Sequence, residues 1–149
     1  MARIAPSYFI NTCKIDFMEN FTFTGTITVS PEHIDELNHV NNVAYVQWIQ
    51  DIAVKHWNAV ASDEIKKKYV WVILRHEIDY KKPGFAGDEL LLETCVLNVL
   101  KFTSDRQVKI FRKSDNILLA QSKTTWCLLN GSSFRPTIIP DEIKAIFLP

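Results

Sequence analysis

The chain is short of cysteine, has no excess of either charge and contains no long apolar run. Each shortage closes off a class of protein. The three cysteines, Cys13, Cys95 and Cys127, are far apart, odd in number and never in a CxxC pair. That argues against a disulfide framework or a zinc site and points to a reducing, cytoplasmic setting. Seventeen basic residues balance seventeen acidic ones, so no global field draws the chain to nucleic acid or to an anionic membrane surface. The basic run Lys66-Lys67-Lys68 is short and reads as a solvated helix end or loop rather than a phosphate site. No apolar stretch approaches the ~20 residues that a membrane-spanning helix needs. There is no repeat, no low-complexity segment and no linker.

What is present is a chain of 149 residues, 47% hydrophobic and 23% charged, enough for one domain with a sizeable core. The first residues, MARIAPSYFINTCKIDF, hold one arginine and no continuous apolar centre, a poor fit to a signal peptide. Met18 opens MENFTFTGTITVS like a natural domain start. Residues 1–17 are therefore expected to be an extension, or the product of a start codon set too early, with a single domain over residues 18–149. Mass spectrometry of the natively expressed chain decides between these.

Phe21 to Ser30 alternates and is rich in Thr and β-branched residues, which predicts a strand. After the loop PEHIDELNH comes a predicted helix from about Asn42 to Val60, with Asn41 or Asn42 as its N-cap. At about 100° per residue, Tyr45, Trp48, Ile49, Ile52, Ala53, His56 and Val60 share one face. ASDEIKKK reads as a loop. Four strands are then expected: Tyr69–Tyr80, with Val70, Val72, Leu74, Ile78 and Tyr80 on one face; Asp88–Leu100; Thr103–Arg112; and Ile117–Leu129. KKPGFAG, Ser114-Asp115-Asn116 and Asn130-Gly131 are turns. IPDEIKAIF adds a short helix with Pro140 near its first turn. Short links predict a four-strand antiparallel meander. One amphipathic helix with one sheet to cover gives a two-layer α+β domain.

The stretch DELNHVNNVAYVQWI, Asp35 to Ile49, crowds hydrogen-bonding groups ahead of the apolar helix. It resembles the signature of hotdog-fold acyl thioesterases of the 4-hydroxybenzoyl-CoA thioesterase-like superfamily, and the corresponding motif of plant acyl-ACP thioesterases. A second stretch, RHEIDYKKPGFAGDEL, Arg75 to Leu90, looks like the second and third strands of that family with their Pro-Gly turn. The resemblance covers about Phe21 to Asn130. It implies a hotdog fold, in which a curved antiparallel sheet of about five strands wraps one long central helix. It also implies an active site between two subunits, hence a homodimer or homotetramer, with an acyl-CoA as substrate and no metal or redox cofactor. Asp35 matches the family aspartate, general base or nucleophile on the thioester. Asn42 matches the position whose backbone N–H binds the thioester carbonyl. The chain departs from the pattern at three places. Asn38 stands where Gly is frequent, Asn42 where some bacterial members have His, and Leu37 where plant enzymes have Asn.

Thioester hydrolysis builds negative charge on the carbonyl oxygen, and a preorganised donor there lowers the barrier by roughly 3–4 kcal/mol. A helix N-terminus supplies free N–H groups and a partial positive charge. Asp35 is thus a candidate catalytic carboxylate, against the plainer role of a loop residue capping the helix. His39 either polarises the substrate or hydrogen-bonds structurally. Asn41 reads as a cap before a substrate contact, and Tyr45 as core or pocket wall. His56 reads as a rim histidine. Arg75 and His76 are candidates for CoA phosphate or a partner subunit, against a cross-strand pairing with Glu77 or Asp79. The expected function is acyl-CoA hydrolysis; the competitors are acyl-ACP hydrolysis and a non-catalytic hotdog module that binds acyl-CoA or assembles complexes.

Overall fold

The computed structural model describes residues 21–148, and the expectation for residues 1–17 lies outside them. Strand β1 (Phe23–Thr28) leads through a single 3-10 turn into helix α1 (Asn42–Val60). A short helix α2 (Asp63–Lys68) follows, then β2 (Tyr69–Tyr80), β3 (Glu89–Val99), β4 (Thr103–Arg112), β5 (Ile117–Asn130) and helix α3 (Asp141–Phe147). All pairings are antiparallel, in the order β1-β3-β4-β5-β2. The long helix lays one face on this five-stranded sheet. Trp48, Ile49 and Ile52 meet Leu90, Leu92 and Ile110 in a core from which water is excluded, the hotdog arrangement.

Helix α1 has the predicted bounds because its apolar spacing and its cap are both local signals. Asn41 stands just outside the helix and its side chain accepts from the Val43 N–H. Of the predicted face, Tyr45 through His56 are buried, whereas Val60 is 38% exposed where the helix runs past the sheet.

Three expectations are corrected. ASDEIKKK is not a loop: Ser62 caps α2 through the Ile65 N–H, with Asp63 and Glu64 in the first turn and three lysines in the last. That charge order complements the helix dipole. The four later strands are not a simple meander. Only β3, β4 and β5 follow one another; β2 pairs with β5 at the far edge. The eight linking residues, 81–88, reach ~26 Å when extended at ~3.3 Å each, ample for three strand spacings totalling ~14 Å. Finally, the face assigned to β2 is wrong over its first half. A bulge falls between Ile73 and Arg75 and leaves Leu74 unpaired and 61% exposed. The bulge reverses the alternation, so Val72 faces solvent while Ile78 packs on the core.

Candidate active site

The loop before α1 is a tight reversal. Ile34 bridges Val40, the Asp35 N–H donates to the His39 carbonyl at 2.9 Å, and the Asn38 N–H donates to the Asp35 carbonyl at 3.0 Å. Asn38 occupies the left-handed region, φ 60. Asn is among the few residues other than Gly that tolerate it, so the departure from the family glycine keeps the turn. The Asp35 carboxylate sits over this reversal. Its Oδ1 accepts from the Leu37 N–H at 2.9 Å and the His39 N–H at 3.3 Å. Its Oδ2 has no hydrogen-bond partner among the described residues.

The first turn of α1 follows directly. Asn41 Oδ1 takes the Val43 N–H at 2.8 Å, and the Asn41 carbonyl takes the Ala44 N–H at 2.9 Å. The Asn42 N–H is left without a partner among the described residues, as expected at a helix start. Tyr80, at the end of β2, donates its hydroxyl to the Asn42 carbonyl at 3.2 Å. Tyr45, 3% exposed, packs edge-on against Trp48 and Tyr80 with centroids 5.3 and 5.6 Å apart. Burial pushes its phenol pKa up.

Together these groups line a crevice of about 400 Å³. The structure brings Asp35, His39, Asn41, Asn42 and Tyr45 to it. His39 contributes its backbone to Asp35 and sets its ring edge-on to Phe85 at 5.5 Å. Arg75 and His76 are elsewhere. Arg75 is exposed and pairs with Glu77 at 2.7 Å along its own strand. His76 shares a 2.9 Å hydrogen bond with Thr124 on β5, and burial lowers its pKa. Tyr80, Lys81 and Lys82 also line the crevice and were not expected there. The KKPG run reads as a turn, and nothing local shows that this turn passes beside the helix start. The Val40 N–H donates to the Gly84 carbonyl at 2.9 Å and so fixes that approach.

At the other end of α1, His56 is not a rim residue. It is 7% exposed, stacked on Phe23 at 5.0 Å, and its Nδ1 meets Arg106 Nη1 at 2.9 Å. Burial first, and then the Arg106 charge, lower its pKa to about 4. His56 is therefore neutral at neutral pH and accepts from the guanidinium through Nδ1. Among the described residues no cluster of His, Cys, Asp or Glu has the arrangement of a metal site. No helix there is long and apolar enough to cross a membrane. Cys95 and Cys127 are free and buried.

The shape and the sequence both have counterparts. A 1,4-dihydroxy-2-naphthoyl-CoA thioesterase from Synechocystis superposes with TM-score 0.74 at 16% identity, over 85% of this chain and 95% of that one. A Staphylococcus aureus protein solved in complex with CoA gives 0.74 at 18% identity, over 84% and 80%. An acyl-ACP thioesterase from Bacteroides thetaiotaomicron gives 0.73 at 20% identity, over 82% of this chain and 51% of that one. At such identities the likeness is one of fold. No curated protein matches the chain in sequence. The family model of the acyl-ACP thioesterase N-terminal domain, however, matches residues 19–147, nearly the whole chain, and by that match the protein belongs to this family of hotdog-fold thioesterases.

Proposed function

We propose that the protein hydrolyses an acyl-CoA thioester to a free carboxylic acid and CoA, with Asp35 as general base or nucleophile and the Asn42 N–H as oxyanion donor. The observation that carries this reading is the meeting of an unengaged carboxylate oxygen and an uncapped helix N–H in one crevice. A thioester carbonyl lying there has its developing negative charge against the helix start. Asp35 Oδ2 either takes a proton from a water, whose oxygen bonds to the carbonyl carbon, or bonds to that carbon itself. In both routes the C–S bond breaks and the thiolate leaves with the bonding pair. In the second route, water then cleaves the mixed anhydride. Oδ1 stays bound to the loop and holds the carboxylate in place. Asn41 serves as a cap, and His39 and Tyr45 form walls.

Lys81 and Lys82 on the lip of the crevice suit the phosphates of CoA. The family name favours the competing substrate, acyl-ACP. Steady-state kcat/KM on matched acyl-CoA and acyl-ACP substrates separates them, and a large preference for acyl-ACP overturns the CoA assignment. Absence of turnover across a panel of chain lengths, with acyl-CoA still bound, marks a binding module instead.

A homodimer completes the reading. Strand β2 is a sheet edge of 12 residues, and Val72 and Leu74 on it are 37% and 61% exposed. A long edge of this kind is a template for a second strand. A β2-to-β2 contact would set the crevice between subunits. Sedimentation at micromolar concentration tests it, with a charged Leu74→Lys variant expected to dissociate. Two free buried cysteines fit a cytoplasmic location.

A further inference from the structure

The residue whose environment the thioesterase chemistry leaves unexplained is Arg106. It is 5% exposed and projects from β4 between two neutral neighbours in register, Val96 on β3 and Thr124 on β5. Its Nη1 donates to His56 Nδ1 at 2.9 Å and to Thr94 Oγ1 at 3.0 Å. The Phe147 ring lies 5.5 Å from its Cζ. No carboxylate pairs with it among the described residues, and its Nε and Nη2 hydrogens have no acceptor there. Burial lowers its pKa, but only to about 10, so it carries its charge at neutral pH. A buried cation is ordinarily matched by an anion, because desolvation without a partner costs several kcal/mol (on the order of 3–5 when one member of a buried pair is removed).

Arg106 lines a cavity of about 210 Å³ walled by Trp57, Trp71, Trp126 and Phe147. Val54, 49% exposed, stands at the mouth. One of the walls adds a second unmet donor: the Trp126 Nε1–H is buried and has no hydrogen-bond partner among the described residues. Trp126 Nε1–H and the Nε and Nη2 hydrogens of the charged Arg106, which meet no acceptor among the described residues, border a pocket that is mostly aromatic and aliphatic. The cavity is distinct from the Asp35 crevice. Ala53, on its wall, is eleven residues along α1 from Asn42, about 16 Å at ~1.5 Å per residue, and the packed core around Ile49 and Ile52 lies between.

We propose that this cavity binds a small apolar carboxylate, its chain or ring against the tryptophans and its carboxylate on Arg106. The volume equals roughly seven waters at ~30 Å³ each, which suits an acid of hexanoate or benzoate size. A free acid of this class is what thioester hydrolysis releases, yet the site stands on Arg106 and does not need the Asp35 chemistry.

Titration of the full chain with hexanoate, followed by tryptophan fluorescence, tests the proposal, since three tryptophans line the cavity. Hexanoate is expected to give a saturable change with a Kd at least tenfold below that of neutral hexanamide, while hexylammonium gives none. Arg106→Gln is expected to erase the preference for hexanoate over hexanamide. Equal affinity for the two in the wild type, no saturation with any of the three, or a preference that survives Arg106→Gln overturns it. Should Arg106→Gln not fold, Val54→Trp tests the same point, because it narrows the mouth from an exposed helix position. It should weaken hexanoate at least tenfold; unchanged affinity overturns the assignment to this cavity. Asp35→Asn separates the two sites: turnover is expected to fall and the hexanoate Kd to stay. A Kd that moves with Asp35→Asn assigns the acid to the crevice and overturns the proposal.

Discussion

At the first turn of α1 the side chains of Asp35 and Asn41 answer to backbone N–H groups two to four residues away. Toward its last turns His56 answers to Arg106, 50 positions along the chain. The first cluster is half open to water and built from one contiguous loop plus the turn after β2. The second is buried and assembled from β1, α1, β3, β4 and α3. The difference bears on what each can do. A wet, locally braced carboxylate can exchange protons and substrate without disturbing the fold. A buried, cross-braced cation is coupled to the fold itself, and its chemistry shows up in stability as much as in binding.

The sharpest way to break this contrast is at Asp35. Asp35→Asn keeps an Oδ1 that accepts the Leu37 and His39 N–H groups and removes only the charge and basicity. A loss of at least ~100-fold in kcat is expected, the scale of positioned acid–base catalysis, with little change in the urea midpoint. Asp35→Ala removes the acceptor too and should also destabilise, by about 1 kcal/mol, the net worth of hydrogen bonds that water can partly replace. Full activity in Asp35→Asn would remove Asp35 from the chemistry.

The other end should respond to pH through stability. His56 is held at about 4 in the folded chain against its ordinary 6.5, so between those values the unfolded chain binds more protons. Folding free energy is then whole above pH 6.5 and declines as the pH falls to 4, by about 3 kcal/mol in all at ~1.4 kcal/mol per pH unit. His56→Gln offers Arg106 an acceptor that does not titrate. Urea midpoints from pH 4 to 7 should slope less for this variant than for the wild type. Parallel slopes would mean that His56 is not the group responsible.

Two glycines in the turn after β2, one against the crevice wall and one away from it, sharpen the contrast further. A Cβ on Gly84 would lie 3.0 Å from Val40 Cγ2 and 3.1 Å from the Tyr45 hydroxyl. Gly84→Ala should therefore lose about 1–2 kcal/mol by overpacking and reduce turnover, because Tyr45 is a wall of the crevice. Gly87 has φ 84 and open space around it. Gly87→Ala should cost about 1 kcal/mol of backbone strain alone and leave kcat unchanged. A calorimetric scan beside a turnover assay reads both, and equal effects on turnover would detach Gly84 from the site.

How much was legible follows the same division. The bounds of α1, a cap at its first asparagines and the strands β4 and β5 are written in short-range spacing, and a periodic reading recovers them; Asp35 as candidate carboxylate comes from the resemblance of the DELNHVNN stretch to the family motif. The α2 cap, Ser62 ahead of acidic and then basic residues, is equally local, although the segment reads as a loop by its short length and polarity. The bulge at Leu74 reversed a face because one unpaired residue shifts the alternation without any mark in composition. The placing of β2 beside β5, the Lys81–Lys82 lip and the His56–Arg106 contact depend on which strands meet across the sheet. No spacing within a segment encodes that, so His56 reads as a rim residue and nothing in the sequence singles out Arg106.

The smallest effect belongs to Asn41, whose two candidate roles differ only in what they leave unchanged. As a cap it satisfies the Val43 N–H at 2.8 Å, and Asn41→Ala should cost about 1 kcal/mol of stability. Asn41→Asp restores an acceptor and sets a negative charge at the positive end of α1, and should recover that loss or exceed it by a few tenths of a kcal/mol. If capping is the whole role, KM stays constant across the three proteins while the melting temperature falls and returns. A substrate contact predicts the reverse for the aspartate: stability restored, but KM raised, because an anion near Asn42 opposes both the CoA phosphates and the charge developing on the thioester oxygen. The pair of variants thus assigns Asn41 to the helix or to the crevice, through KM measured beside Tm.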